Sequence, residues 1–97
     1  MKLKMYSVFD SKVTAYRSPL CLRTRGEMLR EWGDLVNDPT TQFAKYPADF
    51  TLFEIGDFDQ ETGAIECYEA KIALGTALDF QAKNPSLENV SQLVSNK

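Results

Sequence analysis

Histidine is absent from the 97-residue chain. Its absence removes Ser/His/Asp and Cys/His arrangements, the side chain most used as a general base near neutral pH, and the commonest zinc ligand. Cysteine is scarce: Cys21 and Cys67 stand alone beside apolar neighbours, without CxxC spacing. Two such thiols read as small buried hydrophobes, not as a metal clamp or a redox pair. There is no GxGxxG and no GxxxxGK[ST], so neither kind of nucleotide-phosphate cradle is supported. No apolar run approaches the roughly 18 residues of a membrane span. The start, Met1-Lys2-Leu3-Lys4, is basic but has no apolar h-region, and no signal peptide is expected. The carboxylates Asp57, Asp59, Glu61, Glu66 and Glu69 lack the EF-hand spacing and read as a solvated turn. These absences leave no residue-level support for an enzyme, a metal, a cofactor or a membrane partner.

What is present describes one small α+β domain. A chain of this length buries roughly 60 to 65% of its extended surface, enough for a modest core that a partner chain would enlarge. One Trp, four Tyr and six Phe argue against global disorder. Net charge is −3, which at first counts against a phosphate backbone. The distribution is uneven. Seven basic residues up to Gly33 (Lys2, Lys4, Lys12, Arg17, Arg23, Arg25, Arg30) face three acids, a balance of +4, whereas four lysines from Asp34 onward face eleven acids, a balance of −7. Such a chain places a basic face on an acidic body or pairs the two between subunits.

Lys2 to Asp10, KLKMYSVFD, alternates as a half-buried strand. Leu3, Met5 and Phe9 are expected inward, with Tyr6 and Val8 sharing the lysine face. That outer face fits phosphate contact and base stacking, or alternatively a lysine-guarded edge. Asp10-Ser11-Lys12 signals a turn, and Ser18-Pro19 interrupts any ladder because proline has no N–H to donate. Leu20 to Leu22 reads as a short strand or as an extended lead into a helix.

Thr24-Arg25-Gly26-Glu27 matches a capping box, which predicts a helix starting near Arg25. Met28, Trp32, Leu35 and Val36 form its apolar stripe, Gly33 suggests a close backbone approach, and Asn37-Asp38-Pro39 stops it. Thr40 to Tyr46 predicts a single turn with Phe43 tucked inward, then an extended exit at Tyr46-Pro47. Phe50 to Ile55 reads as a central strand, Asp57 to Gly63 as a turn with Gly63 at positive φ, and Ala64 to Ala70 as its hairpin partner. Ile72 to Phe80 fits a short helix or a last strand. Residues 81–97 form a polar tail: frayed, or a weak helix from Asn84-Pro85-Ser86 with Leu87, Val90, Leu93 and Val94 as a thin stripe.

The expected architecture over residues 1–80 is a split βαββ layout, ferredoxin-like in spirit. A small antiparallel sheet carries one main amphipathic helix on one face, and the small core and exposed edges point to a homodimer. The candidate nucleic-acid contacts are Lys2, Lys4, Tyr6, Tyr16, Arg17, Arg23 and Arg25. Arg23 and Arg25 flank the helix N-terminus, where amide ends favour an anion.

Three ordered segments, MKLKMYSVFDSKVTAY, RTRGEMLREWGDLVNDPTTQFAKYPADFTLFEIGDFD and ETG, resemble the small nonstructural protein of gokushovirus-type microviruses, single-stranded DNA phages of bacteria. The resemblance runs from Met1 to about Phe80. It implies a nonstructural protein of the host bacterial cytoplasm that binds DNA or acts in single-stranded genome synthesis and packaging. It supplies no catalytic residues and no fixed set of DNA contacts. Two readings follow: a non-catalytic accessory protein that binds single-stranded DNA, or an adaptor that engages a phage replication or capsid protein or a host protein.

Overall fold

The computed structural model describes residues 1–82. It is an α+β fold built on a five-stranded antiparallel sheet. Strand β1 (Lys2–Asp10) is central. It pairs on one side with β2 (Ala15–Tyr16) and β3 (Leu20–Leu22), and on the other with β4 (Phe50–Asp59), which also pairs with β5 (Ile65–Thr76). Helix α1 (Arg25–Val36) crosses one face, and two single turns, α2 (Gln42–Lys45) and α3 (Ala77–Phe80), pack at its C-terminal end.

The local rules act as the sequence predicts along most of the chain. Thr24 Oγ1 accepts the Glu27 N–H at 3.1 Å, and Glu27 Oε1 accepts the Thr24 N–H at 3.3 Å, completing the capping box. Helix α1 ends at Asn37, whose side-chain amide donates to the carbonyls of Gly33 and Phe80 while its oxygen accepts the N–H of Ala82. One polar side chain thus closes a helix end and ties down the chain arriving 43 residues later. Thr41 caps α2, and Phe43 turns inward, edge-on to Trp32 at 5.2 Å and to Phe50 at 4.9 Å. Gly63 closes the β4–β5 turn at φ +76.

The core lies between α1 and the sheet: Met28, Trp32 and Val36 from the helix, Tyr6 and Val8 from β1, Phe50 and Leu52 from β4, and Ala77 from α3. Burying large aliphatic and aromatic side chains here supplies the main folding drive.

Several expectations are corrected. The helix-facing side of β1 is the reverse of that expected: Tyr6 is 0% exposed and Val8 is also buried against the helix, whereas Leu3, Met5 and Phe9 lie on the opposite face, where Met5 is buried as expected. Both alternate sets of KLKMYSVFD contain apolar residues, and the placement of α1 chooses between them. Gly33 makes no close approach, since a Cβ there would meet nothing within 4 Å. Leu35 is half-buried at the margin of the stripe. Pro47 starts a 3-10 turn (Pro47–Asp49) instead of an extended exit. Strand β4 runs on to Asp59, so the turn begins later than expected. Both alternatives for Ile72 to Phe80 are used in sequence, strand to Thr76 and then a helical turn. Cys67 is exposed and Cys21 half-buried, because each sits on an edge strand. The predicted tail helix from Asn84 falls outside the described residues.

The sheet has two irregularities at its borders. Between Glu54/Ile72 and Gly56/Cys67 the register shifts, so that β5 carries three more residues than β4 and must bow outward over Tyr68 to Lys71. Beside this bow, β5 crosses close to Gly56, where any Cβ would run into the Glu66 carbonyl oxygen. On the opposite edge, Arg17 to Pro19 separate β2 from β3.

Candidate nucleic-acid interface

Directly paired residues in adjacent strands share a face, so the register sorts the candidates into two groups. The first group lies on the helix face of the sheet, beyond the N-terminus of α1. Lys4 pairs with Asp57, Tyr6 with Glu54, and Asp57 with Glu66. Glu54, 2% exposed, accepts from Arg25 Nε at 2.8 Å and from the Tyr68 hydroxyl at 2.7 Å. Lys4 Nζ lies 3.5 Å from Asp57, and Lys2 Nζ lies 3.6 Å from Glu66.

The protonation of this cluster follows from its neighbours. Burial pushes the Glu54 carboxyl up, but the Arg25 and Tyr68 hydrogen bonds outweigh it and hold the group below its usual range. Burial, with the Glu54 charge beside it, pushes the Tyr6 phenol up to about 12. The hydrogen bond to Glu54, followed by burial, raises Tyr68 as well. The cluster is therefore carboxylate, guanidinium and two neutral phenols at physiological pH.

Lys2, Lys4 and Arg25 are thus brought together, but each faces an acid from β4 or β5. The anion that the helix N-terminus and its flanking arginines invite is supplied by the chain itself, as Glu27 and Glu54. Tyr6 sits in the core, and its hydroxyl has no hydrogen-bond partner among the described residues. A buried ring offers no face to a base.

The second group lies on the opposite face, which no member of the core cluster reaches. Ser7 pairs with Phe53, Phe9 with Tyr16 and with Thr51, Leu3 with Phe58, and Phe58 with Ile65. Tyr16, 45% exposed, is the centre of an aromatic group: its ring lies 4.9 Å from Phe9 and 5.8 Å from Phe53. Lys71, on the bowed part of β5, sets its ammonium 5.5 Å from the Tyr16 ring centroid. Of the sequence-derived set only Tyr16 belongs here.

Arg17 lies at the sheet edge with its guanidinium 5.0 Å from the Phe43 ring, on the helix side. Arg23 is exposed at the start of α1, with its main-chain N–H donating to Glu27. Neither arginine has an acidic partner within ion-pair distance among the described residues. Phe9, Phe53 and Lys71 are absent from the sequence-derived set. Their signal was the spacing of Phe9 from Met5 and Leu3, which marks a second apolar face as readily as it marks a core. Among the described residues no helix is long and apolar enough to cross a membrane, and no group of three or more acidic or cysteine side chains is arranged to hold a metal.

No curated protein and no solved structure matches the chain. A family model does, over residues 3–80, a span that includes the three helices, all five strands but for Lys2 at the start of β1, and both groups of side chains except Lys2. By that match the chain belongs to the phage ORF5 protein family.

Proposed function

We propose that this phage protein is a non-catalytic accessory factor of a microvirus that binds single-stranded DNA through the open face of its sheet during replication or packaging. The observation that carries the reading is Tyr16, half-exposed between Phe9 and Phe53 with the Lys71 ammonium beside it. An aromatic ring on an uncovered sheet face stacks any base, and an adjacent cation meets the phosphate that follows. Arg17, on the helix side at the sheet edge, and Arg23, at the start of α1, would meet phosphates only where the strand leaves the open face.

Fluorescence anisotropy with labelled oligonucleotides at low salt tests it. Tyr16→Ala should weaken binding by about 5- to 150-fold, the equivalent of one lost stacked base. Lys2→Ala/Lys4→Ala, by contrast, should change it little, since those ammoniums already face carboxylates. No binding at tens of micromolar protein would remove the proposal.

A second reading has its own observation. Leu3, Phe58 and Ile65 continue the same face away from Tyr16 as an apolar stretch without a cation, and Ile65 is largely exposed. That end suits a protein partner, whether a replication or capsid protein or a second copy of this chain. Sedimentation at increasing concentration, with Ile65→Asp as control, separates self-association from DNA binding.

A further inference from the structure

We infer that the groove beside the β1–β2 turn, on the helix side of the sheet, is a nucleobase pocket selective for bases with an exocyclic amino group and unfavourable to thymine. The inference rests on the single-stranded DNA reading above and adds a base preference to it. The groove has a volume of about 340 Å³ and is lined by Asp10, Lys12, Gln42, Tyr46, Asp49 and Phe50. That is within the range of roughly 300 to 1,000 Å³ of small-ligand sites.

Its walls are set by the fold. Asp10 ends β1 directly opposite Phe50, which starts β4, and the N–H and hydroxyl of Ser11 both donate to the Asp49 carbonyl, at 2.9 and 3.2 Å. The β1–β2 turn is thereby fastened to the 3-10 turn, holding Asp10 and Asp49 at one groove. Phe50 is buried, and Tyr46 is exposed at its margin.

The lining groups are available. One Asp10 oxygen accepts the Lys12 main-chain N–H at 3.0 Å. The Asp49 carboxylate, the Gln42 amide, the Tyr46 hydroxyl and the Lys12 ammonium have no hydrogen-bond or ion-pair partner among the described residues. This contrasts with Lys2, Lys4 and Arg25, each already facing an acid.

Carboxylates accept and do not donate. Cytosine and adenine present an amino group to such acceptors, and guanine presents an amino group with a ring N–H. Thymine instead flanks its single N–H with two carbonyl oxygens, which two carboxylates repel. The Tyr46 ring supplies a stacking surface, and Lys12 supplies a phosphate contact. Asp10 shares the helix face with Phe50, whereas Tyr16 shares the other face with Phe9, so a strand stacked on Tyr16 reaches the groove only by passing round the β1–β2 turn.

The test uses the full chain with oligo(dC), oligo(dU) and oligo(dT) of equal length. Oligo(dC) should bind about 5- to 150-fold more tightly than oligo(dT), the discrimination of one good base contact, and oligo(dU) should follow oligo(dT). Asp49→Ala/Tyr46→Ala should collapse the ratio to within about twofold, whereas Tyr16→Ala should weaken every oligonucleotide and keep the ratio. Equal affinities in the unaltered protein, or a ratio that survives Asp49→Ala/Tyr46→Ala, overturn the pocket while leaving strand binding intact.

Mononucleotides separate the two readings further. Millimolar dCMP, and not dTMP, should shift the amide signals of Gln42 and Asp49 even if no oligonucleotide binds. Shifts induced by an arginine-rich peptide and not by dCMP would assign the groove to a protein partner and overturn the inference.

Discussion

The two faces of the sheet are made from the same strands and differ in what covers them. Along β4, Phe50, Leu52 and Glu54 are buried toward α1, while Thr51 and Phe53 between them stay half-exposed. The covered face combines an apolar core with a satisfied cluster of Glu54, Arg25 and Tyr68. The open face keeps aromatic rings and a lysine, Lys71, that has no acidic partner within ion-pair distance among the described residues. Three of the seven basic residues before Gly33, Lys2, Lys4 and Arg25, face acids on the covered side, so the basic balance of the first third overstates its free positive charge. Where the register sets lysine opposite aspartate, local sequence charge and surface potential part company.

Substitutions on the two faces should therefore separate stability from binding. The largest effect belongs to Trp32→Ala, which empties the centre of the covered face and should cost about 3 to 5 kcal/mol by thermal or urea unfolding. A loss below about 1 kcal/mol would mean the core is not where α1 meets the sheet. Next comes Glu54→Gln, expected to cost about 2 kcal/mol at neutral pH through a weakened charge-assisted hydrogen bond.

Glu54 also sets the acid limb. Its carboxyl holds a proton less tightly in the folded chain than in the unfolded one. Its contribution is complete above about pH 4.3 and is lost as pH falls through the depressed folded value. The Glu54→Gln protein should accordingly show a shallower stability decline on acidification. An unchanged slope would remove Glu54 from the account.

Smaller effects sharpen the contrast. Gly33→Ala should stabilise by about 1 kcal/mol, because the site is helical and open. Tyr6→Phe should change stability by less than about 1 kcal/mol, since it removes a buried hydroxyl with no partner, and should leave oligonucleotide binding unchanged. If Tyr6→Phe weakened binding as Tyr16→Ala does, the assignment of faces would be reversed.

Local chemistry was legible in the sequence. The Thr24–Glu27 box, the Asn37 stop, the inward Phe43 and the Gly63 turn each follow from a few neighbouring residues, and the α+β layout follows from them. The orientation of β1 was not legible, because Tyr6 and Val8 compete with Leu3, Met5 and Phe9 for the same core. The neutralised lysines were hidden for a related reason. Lys4 and Asp57 are 53 positions apart, and only the β1–β4 register makes them neighbours. Of the candidate site, Tyr16 was visible as an aromatic residue beside an arginine. Lys71 was not, because its place beside Tyr16 depends on the unequal β4–β5 pairing.

That unequal pairing, with the gap at Arg17 to Pro19 on the other edge, also governs how the protein behaves at high concentration. Neither border of the sheet presents an unbroken row of main-chain donors and acceptors long enough to template another strand, which is the first step toward fibrils. The sheet can thereby leave one aromatic face uncovered without offering a border that templates other strands. Removing Glu69 to Lys71 from β5 would straighten that border, and the expected result is precipitation on ageing.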